Sequence, residues 1–259
     1  FVLFIIIFST TYLNANTFRV SEIEISSPFE LNFNKSSVID EGFQSSFSNL
    51  LSMITTSGDK NKIKSISIKE IKSMIDSFKI SDEKFINNEY FAKLETVFNK
   101  KKIFNFLEKK NIFPSIPKKN KVLLVPILVD TETENIYLFE DNIFYEKWND
   151  VKKNYQLLNY LLPSEDLEDL DKIQEMSNSI ETYDFLNLIK KYDLKDHIIL
   201  IIYKNKNEIK VLSKINLNNS MKVSNQKYSQ IDLTNEKNID IILKDLKNIY
   251  EDEWKKNNE

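Results

Sequence analysis

The stretch Val122-Leu123-Leu124-Val125-Pro126-Ile127-Leu128-Val129 decides the fold, because it is the longest apolar run after the first thirteen residues. A run of this length is typical of one buried strand. Proline has no N–H to donate to a neighbouring strand, so Pro126 requires a bulge or a position at a sheet edge. The run therefore predicts a buried strand with one irregular position.

A domain boundary precedes this strand. The segment from Pro114 to Asn120 contains two prolines among polar residues, and such a segment continues neither a helix nor a strand. The chain is also longer than one typical core requires. The sequence thus predicts a first domain over 16–113, a linker over 114–120 and a second domain over 121–259.

The first domain has the pattern of a sheet with helices. Asn87-Asn88 separates two strand-like segments, and asparagine tolerates the left-handed backbone of a tight turn. We therefore expect a hairpin that pairs Phe85 with Tyr90 and Asp82 with Lys93. The other predicted elements are a strand over Thr17–Ile25, a helix from about Lys35 to Thr55, a short helix over Ile68–Lys72 and a helix that is capped by Asn99 and ends before Pro114.

The second domain alternates strand and helix patterns. Strands are predicted over Val122–Val129, Leu157–Leu162, His197–Tyr203 and Ile209–Leu217, and helices over Asn142–Lys152, Glu181–Lys191 and from Ile239 to Tyr250. The predicted fold class is α+β. We expect two small mixed α/β domains, each with a largely antiparallel sheet packed against amphipathic helices.

The amino end resembles a secretory signal. Residues 1–13 are almost wholly apolar, and Ala15 is a small residue suited to a signal peptidase, so we predict a signal peptide over 1–15 and a periplasmic location. An uncleaved anchor is the alternative, although the run is short for a membrane span. The chain begins at Phe1 without methionine or a basic leader, so we expect its amino end to be incomplete.

Composition excludes several kinds of chemistry. The net charge is −3 and Arg19 is the single arginine, which argues against nucleic-acid binding. Without cysteine the chain has no thiolate nucleophile, thiolate metal site or disulfide. Gly42 and Gly58 are too far apart for a phosphate loop, a dinucleotide fingerprint or a nucleophile elbow. His197, the single histidine, excludes a two-histidine metal site, and no cofactor is predicted.

An acidic run follows the predicted Leu157–Leu162 strand. Its members are Glu165, Asp166, Glu168, Asp169 and Asp171. Several carboxylates close together suit a hard cation such as calcium or magnesium, and Glu165, Asp166, Glu168 and Asp169 are the candidate ligands. The alternative is a helix start, with Ser164 as the N-cap and the carboxylates stabilised by the helix dipole.

Three further features have a functional and a structural interpretation. His197 beside Asp196 suits an oriented base or a strand-end residue with local hydrogen bonds. The aromatic group of Phe139, Phe144, Tyr145 and Trp148 suits a peptide or glycan platform, or a core. The lysine runs 100–102 and 118–119 suit an anionic surface contact, or solvated surface.

Three segments together resemble one family. These segments are Val122–Pro126, Leu138–Asn142 reaching Trp148, and Leu162–Leu170. The chain from about Thr17 to Trp254 is similar to the domain of unknown function 2066 (DUF2066) family. The resemblance implies an exported envelope protein of Gram-negative bacteria with no established activity. Members continue beyond the helix that holds Trp254, so we expect the carboxyl end to be truncated.

These observations favour a non-enzymatic binding or scaffolding module of the cell envelope, with envelope proteins as partners. Membrane contact is expected only through the leader, if it is uncleaved. The first alternative is a carboxylate-based or divalent-metal-dependent hydrolase that acts on envelope polymer. The second is an assembly subunit that presents a sheet edge or an apolar patch. Sequence leaves the oligomeric state open.

Overall fold

The structure, a computed structural model, describes residues 18–63, 65–150, 153 and 155–258. Within these residues the strands form two sheets, and helices pack against both, so the chain belongs to the predicted α+β class. The first sheet is antiparallel in the order β1-β3-β2. Its strands are β1 (Arg19–Pro28), β2 (Ile75–Ile86) and β3 (Glu89–Phe98).

Helix α1 (Lys35–Ile54) covers this sheet and contacts β1 and β3. The Asn34 side chain accepts hydrogen bonds from the N–H groups of Ser36 and Ser37, which satisfies two donors at the start of the helix. The predicted helix is confirmed to within one residue. Its apolar stripe is buried and comprises Val38, Phe43, Phe47, Leu50, Leu51 and Ile54.

The turn of the first hairpin has the predicted conformation. Asn87 and Asn88 have φ angles of 53° and 59°, in the left-handed region. This turn matches the right-handed twist of the two strands that it joins. Phe85 pairs with Tyr90, as the sequence predicts.

The predicted pairing of Asp82 with Lys93 is wrong. Ser81 lies opposite Lys93, because a bulge between Ser81 and Lys84 shifts the register. Asp82 lies in this bulge with a φ of 51°. Its carboxylate nevertheless lies 3.7 Å from the Lys93 Nζ.

Three short helices complete this part of the chain: α2 (Ser57–Lys60), α3 (Ile68–Ser73) and α4 (Lys100–Glu108). The predicted cap of α4 is confirmed, since the Asn99 Oδ1 accepts a hydrogen bond from the Lys102 N–H.

The second sheet is mixed. Its order is β5-β4-β7-β8-β9, with β6 also paired to β4. The pairs β4–β7 and β4–β6 are parallel and the others are antiparallel. The strands are β4 (Asn120–Asp130), β5 (Asn135–Tyr137), β6 (Leu158–Leu161), β7 (His197–Asn205), β8 (Glu208–Leu217) and β9 (Ser220–Ser229).

Pro126 occupies a gap in the pairing of β4. On the side away from β7, β6 pairs with residues 120–123 and β5 with residues 128–130, so among the described residues 124–127 have no strand neighbour on this side. A residue without an N–H is tolerated at such a gap. The Pro126 carbonyl accepts a hydrogen bond from the buried Asn142 Nδ2.

Both faces of the central strand β4 are buried. Leu124 and Leu128 of β4 belong to one apolar cluster, whereas Val125 and Ile127 belong to another on the opposite face, as the alternation of a strand requires. The first cluster includes helix α8 (Glu236–Lys256) and residues of the first sheet such as Leu94. One continuous core therefore contains residues of both sheets.

Three more short α-helices precede α8 among the described residues. They are α5 (Ile143–Lys147), α6 (Leu167–Glu175) and α7 (Leu186–Lys190). The helix predicted over Asn142–Lys152 is observed as α5, which ends at Lys147. Residues 151 and 152 of the predicted range lie outside the described residues.

The helix predicted over Glu181–Lys191 is wrong in its first half. A 3₁₀ helix over Ser177–Thr182 ends there, and Tyr183 is extended. The Asp184 side chain accepts a hydrogen bond from the Leu186 N–H. Such a local bond competes with a continuous helix.

The predicted linker is held in place by hydrogen bonds. Residues 112–119 contain no helix or strand. The buried Ser115 donates its N–H to the Ile54 carbonyl of α1, and the Trp254 Nε1 of α8 donates to the Lys118 carbonyl at 2.7 Å. The segment thus contacts helices from both predicted domains, and the division into two domains stays a prediction.

The predicted signal peptide over 1–15 lies outside the described residues. In the part of the chain that the structure does describe, no helix combines the length and the apolarity needed to cross a bilayer.

Gly42 lets α1 approach the first sheet closely. A Cβ at this position would lie 2.7 Å from the Leu94 Cδ2 and 2.9 Å from the Ile25 Cγ2, both buried. We predict that Gly42→Ala lowers the free energy of unfolding by about 1–3 kcal/mol, because overpacking outweighs the better helix propensity of alanine. Urea denaturation measures the change.

Gly58→Ala is the matched control. Of the residues that the structure describes, its added Cβ would meet only Thr56, with the Oγ1 at 4.0 Å. We expect stability to be unchanged or raised by less than about 1 kcal/mol. Equal destabilisation by both substitutions would contradict a close approach at Gly42.

Candidate functional site

Three of the five carboxylates of the acidic run, those of Asp166, Glu168 and Asp169, are paired with lysines. Asp166 is the N-cap of α6 and accepts hydrogen bonds from the N–H groups of Glu168 and Asp169, so the predicted N-cap Ser164 is wrong. The Lys191 Nζ lies 2.7 Å from the Asp166 Oδ2 and 2.8 Å from the Asp169 Oδ2. These carboxylates raise the pKa of Lys191. The two carboxylates therefore begin a helix and bind an ammonium group.

The other two candidate ligands do not join them. Glu165 is exposed, and Glu168 forms an ion pair with Lys172 one helical turn away. Among the described residues, no group of three or more acidic or histidine side chains is arranged to hold a metal ion.

His197 begins β7 and is half-buried. Its Nδ1 lies 3.1 Å from the Lys195 carbonyl, and burial lowers its pKa. The neighbouring Asp196 accepts hydrogen bonds from the Asn120 side chain and the Asn218 N–H. This is the strand-end arrangement with local hydrogen bonds.

The aromatic group belongs mainly to the core. Phe139, Phe144 and Trp148 are at most 4 % exposed, and the Tyr145 hydroxyl donates to the Pro163 carbonyl. The core interpretation is confirmed for the three buried residues.

The two lysine runs lie at the surface. Lys100 packs over the Phe104 ring, and Lys102 donates to the Ser73 carbonyl. The Lys118 ammonium group lies over the Trp254 ring, 6.0 Å from its centroid.

A different region forms a concave site. A cavity of about 580 Å³ lies between the end of α1, helix α2, the segment from Lys153 to Gln156 and helix α8. Its volume is in the range of small-molecule sites. None of the residues of the acidic run lines it.

One face of α8 forms a wall of this cavity. Residues spaced by three or four positions share a helix face. The lining residues of α8 follow this spacing and are Asp240, Leu243, Lys244, Lys247, Asn248, Glu251, Asp252 and Lys255. The buried apolar face comprises Ile239, Ile242, Leu246, Tyr250 and Trp254. The helix thus separates a core face from a cavity face.

The cavity is rich in positive charge. Six lysines line it, against three carboxylates; the lysines are Lys60, Lys147, Lys153, Lys244, Lys247 and Lys255. Within the described ranges, no carboxylate lies within 4.0 Å of the ammonium groups of Lys60, Lys153 or Lys244. Lys60 instead donates to the Ser52 Oγ at 2.6 Å.

Two of these lysines have a lowered pKa. Burial is the main cause for Lys60, and the positive charges of Lys255 and Lys153 add to it. Burial also lowers the pKa of Lys255, whose side chain is 7 % exposed and whose Nζ lies 3.6 Å from the Asp252 Oδ1. The ammonium groups of Lys255 and Lys153 therefore both repel that of Lys60.

Two carboxylates beside the cavity are bound to hydrogen-bond donors. The buried Glu251 accepts from the N–H groups of Leu157 and Leu158, with its Oε1 at 3.0 and 2.9 Å. Asp252 accepts from the N–H and the hydroxyl of Ser57. Burial raises the pKa of Glu251 despite these hydrogen bonds. Both carboxylates hold the walls of the cavity together.

A second cavity, of about 370 Å³, lies on the other side of the same segment. It shares Lys153, Tyr155, Gln156 and Lys247 with the first cavity. Tyr160 lines it and is 8 % exposed, and its hydroxyl has no hydrogen-bond partner among the described residues. Burial raises the pKa of this hydroxyl.

No protein-family model matches the chain. A search of curated proteins also finds no match. The resemblance to the DUF2066 family therefore stays a prediction, and the function has to be inferred from the residues of the site.

The sequence predictions did not include this cavity. The α8 lysines are separated by both polar and apolar residues, and Lys60 lies far from them in the chain. One signal is nevertheless present: Lys244, Lys247 and Lys255 fall on one side of the predicted amphipathic helix.

The Glu251 carboxylate is predicted to be a stabilising acceptor. Glu251→Ala leaves the N–H groups of Leu157 and Leu158 without their acceptor, so we expect the free energy of unfolding to fall by about 3 kcal/mol. Glu251→Gln retains one oxygen for both donors and should cost less than about 1 kcal/mol. Urea denaturation of both variants checks this, and equal losses would contradict the acceptor role.

The raised pKa of Glu251 also predicts a pH dependence. In the folded protein the pKa of Glu251 is raised above its ordinary value of 4.5, so the folded state keeps the carboxyl proton at pH values where the unfolded state has lost it. A rise in pH through this range therefore favours the unfolded state. The stability of the wild type relative to Glu251→Gln should therefore decrease between about pH 4 and pH 7. Thermal melts of both proteins across this range measure the difference, and an increase with pH would contradict a raised pKa.

Proposed function

We propose that this protein is a non-enzymatic binding module of the bacterial cell envelope, exported to the periplasm, and that its ligand occupies the cavity beside α8. The apolar run of residues 1–13 and the resemblance to the DUF2066 family support the location. The observation that carries the binding role is a cavity of about 580 Å³ with polar walls from distant parts of the chain.

Hydrogen bonds hold the walls of the cavity in place, which favours ligand binding. The Glu251 and Asp252 carboxylates connect α8 to residues 157–158 and to Ser57. A preformed site loses little conformational entropy when a ligand enters, so its polar groups contribute more fully to affinity. Envelope proteins remain the proposed partners of the module.

A hydrolase that acts on envelope polymer is the second candidate. One observation favours it: Glu251 borders the cavity with a raised pKa, as a general acid requires. Its oxygens are, however, occupied by two backbone N–H groups, and the nearby Asp252 is bound to Ser57. Binding without cleavage is therefore the better-supported function.

Site-specific photo-crosslinking tests the proposal. A photoreactive amino acid replaces Asn248, an exposed residue of the cavity, or Met221, which is 82 % exposed on β9 and does not line the cavity. In intact cells that express the full chain, we expect a defined envelope component to crosslink at position 248 and not at 221. The same cells should release the protein in the periplasmic fraction.

Two results would overturn the proposal. One is a cytosolic location with no crosslink at position 248. The other is release of soluble fragments when the purified protein is incubated with peptidoglycan, provided that Glu251→Gln abolishes this release. The second result would establish the hydrolase instead.

A further inference from the structure

We infer that the cavity beside α8 binds a phosphorylated ligand, whose phosphate group contacts the ammonium groups of Lys60 and Lys153. The inference rests on the proposed binding function and names the chemistry of its ligand. Lysine ammonium groups are common phosphate binders in proteins.

The local charge is opposite to that of the whole chain. The protein has a net charge of −3, yet the cavity lining has six lysines against three carboxylates. Glu251 and Asp252 are already bound to backbone N–H groups. Lys60, Lys153 and Lys244 have no carboxylate within 4.0 Å among the described residues. The positive excess is therefore available to an anion.

Grouping these lysines destabilises the unliganded protein. The charges of Lys255 and Lys153 act on Lys60, after burial, to lower its pKa. Like charges in a partly dehydrated cavity repel one another more strongly than in water. A phosphate group carries up to two negative charges near neutral pH and would remove much of this repulsion, whereas a single carboxylate carries one.

The other walls suit the rest of a small phosphorylated molecule. The side-chain amide of Asn248 is available for hydrogen bonds, and Leu243 with the Tyr155 ring supplies apolar surface. The volume of about 580 Å³ exceeds that of a lone phosphate ion. The site therefore fits a phosphate group attached to a larger polar molecule, such as a sugar phosphate or a phosphorylated headgroup.

Calorimetry with inorganic pyrophosphate tests the inference. We expect the full-length protein to bind pyrophosphate and to bind acetate at equal ionic strength at least about tenfold more weakly. Lys60→Gln and Lys153→Gln together should weaken pyrophosphate binding by about tenfold or more. Lys79→Gln is the control, since Lys79 is exposed on β2, outside the cavity, and likewise has no carboxylate within 4.0 Å. It should leave binding unchanged.

Thermal melts show whether the variants fold. Removal of repelling charges should leave the melting temperature of the double variant unchanged or higher, so a loss of binding would not reflect unfolding. Glucose 6-phosphate and vesicles that contain phosphatidic acid then distinguish a soluble phosphate from a lipid headgroup, with phosphatidylcholine vesicles as the blank.

Two results would overturn the inference. One is pyrophosphate binding that is absent or no stronger than acetate binding. The other is equal weakening by the double variant and by Lys79→Gln. A crosslink at position 248 together with either result would preserve the binding module and reject only the phosphate.

Discussion

The rest of the structure depends on the burial of one apolar cluster that contains residues of both sheets. Helix α8 contributes Leu246, Tyr250 and Trp254 to it, and the first sheet contributes Leu94. An amphipathic helix that buries one face in a shared core must place its polar face beside the neighbouring elements. On α8 that face meets helix α2 and the segment before β6, and the cavity lies between them. The core and the candidate site are thus two sides of the same helix.

Local patterns made much of the fold predictable. The spacing of apolar residues gave the bounds of α1, and Asn87-Asn88 gave the first hairpin, because in both cases neighbouring residues determine the structure. The same reasoning applied to Asn218-Asn219 would have revealed β9, since these residues also have left-handed φ angles of 52° and 62°. The interruption at Tyr183 was harder to predict, because it depends on one side-chain hydrogen bond of Asp184.

The candidate site was less predictable because it depends on contacts between distant residues. The acidic run was a candidate cation site because its carboxylates are dense in the sequence. Lys191, which binds two of these carboxylates, lies more than twenty positions away and could not be paired with them from the sequence. For Lys60 and Lys255 the sequence gives no sign of a charge cluster, because the two lysines lie far apart in the chain. Folding brings them close enough for their charges to interact. Charge density along a sequence is therefore a poor guide to charge density in space.

The bulge in β2 has a consequence for self-association. β2 is an edge strand, and among the described residues it pairs only with β3. An exposed edge with straight, regular backbone is a template for aggregation, and bulges and charged side chains disrupt such a template. The distortion at Asp82, flanked by Lys79 and Lys84, divides β2 into two short stretches. β9, an edge strand of the second sheet, also carries lysines, Lys222 and Lys227, but it pairs with β8 in an unbroken register from Ser220 to Ser229. Fibril growth by strand addition would thus meet less resistance at β9 than at β2.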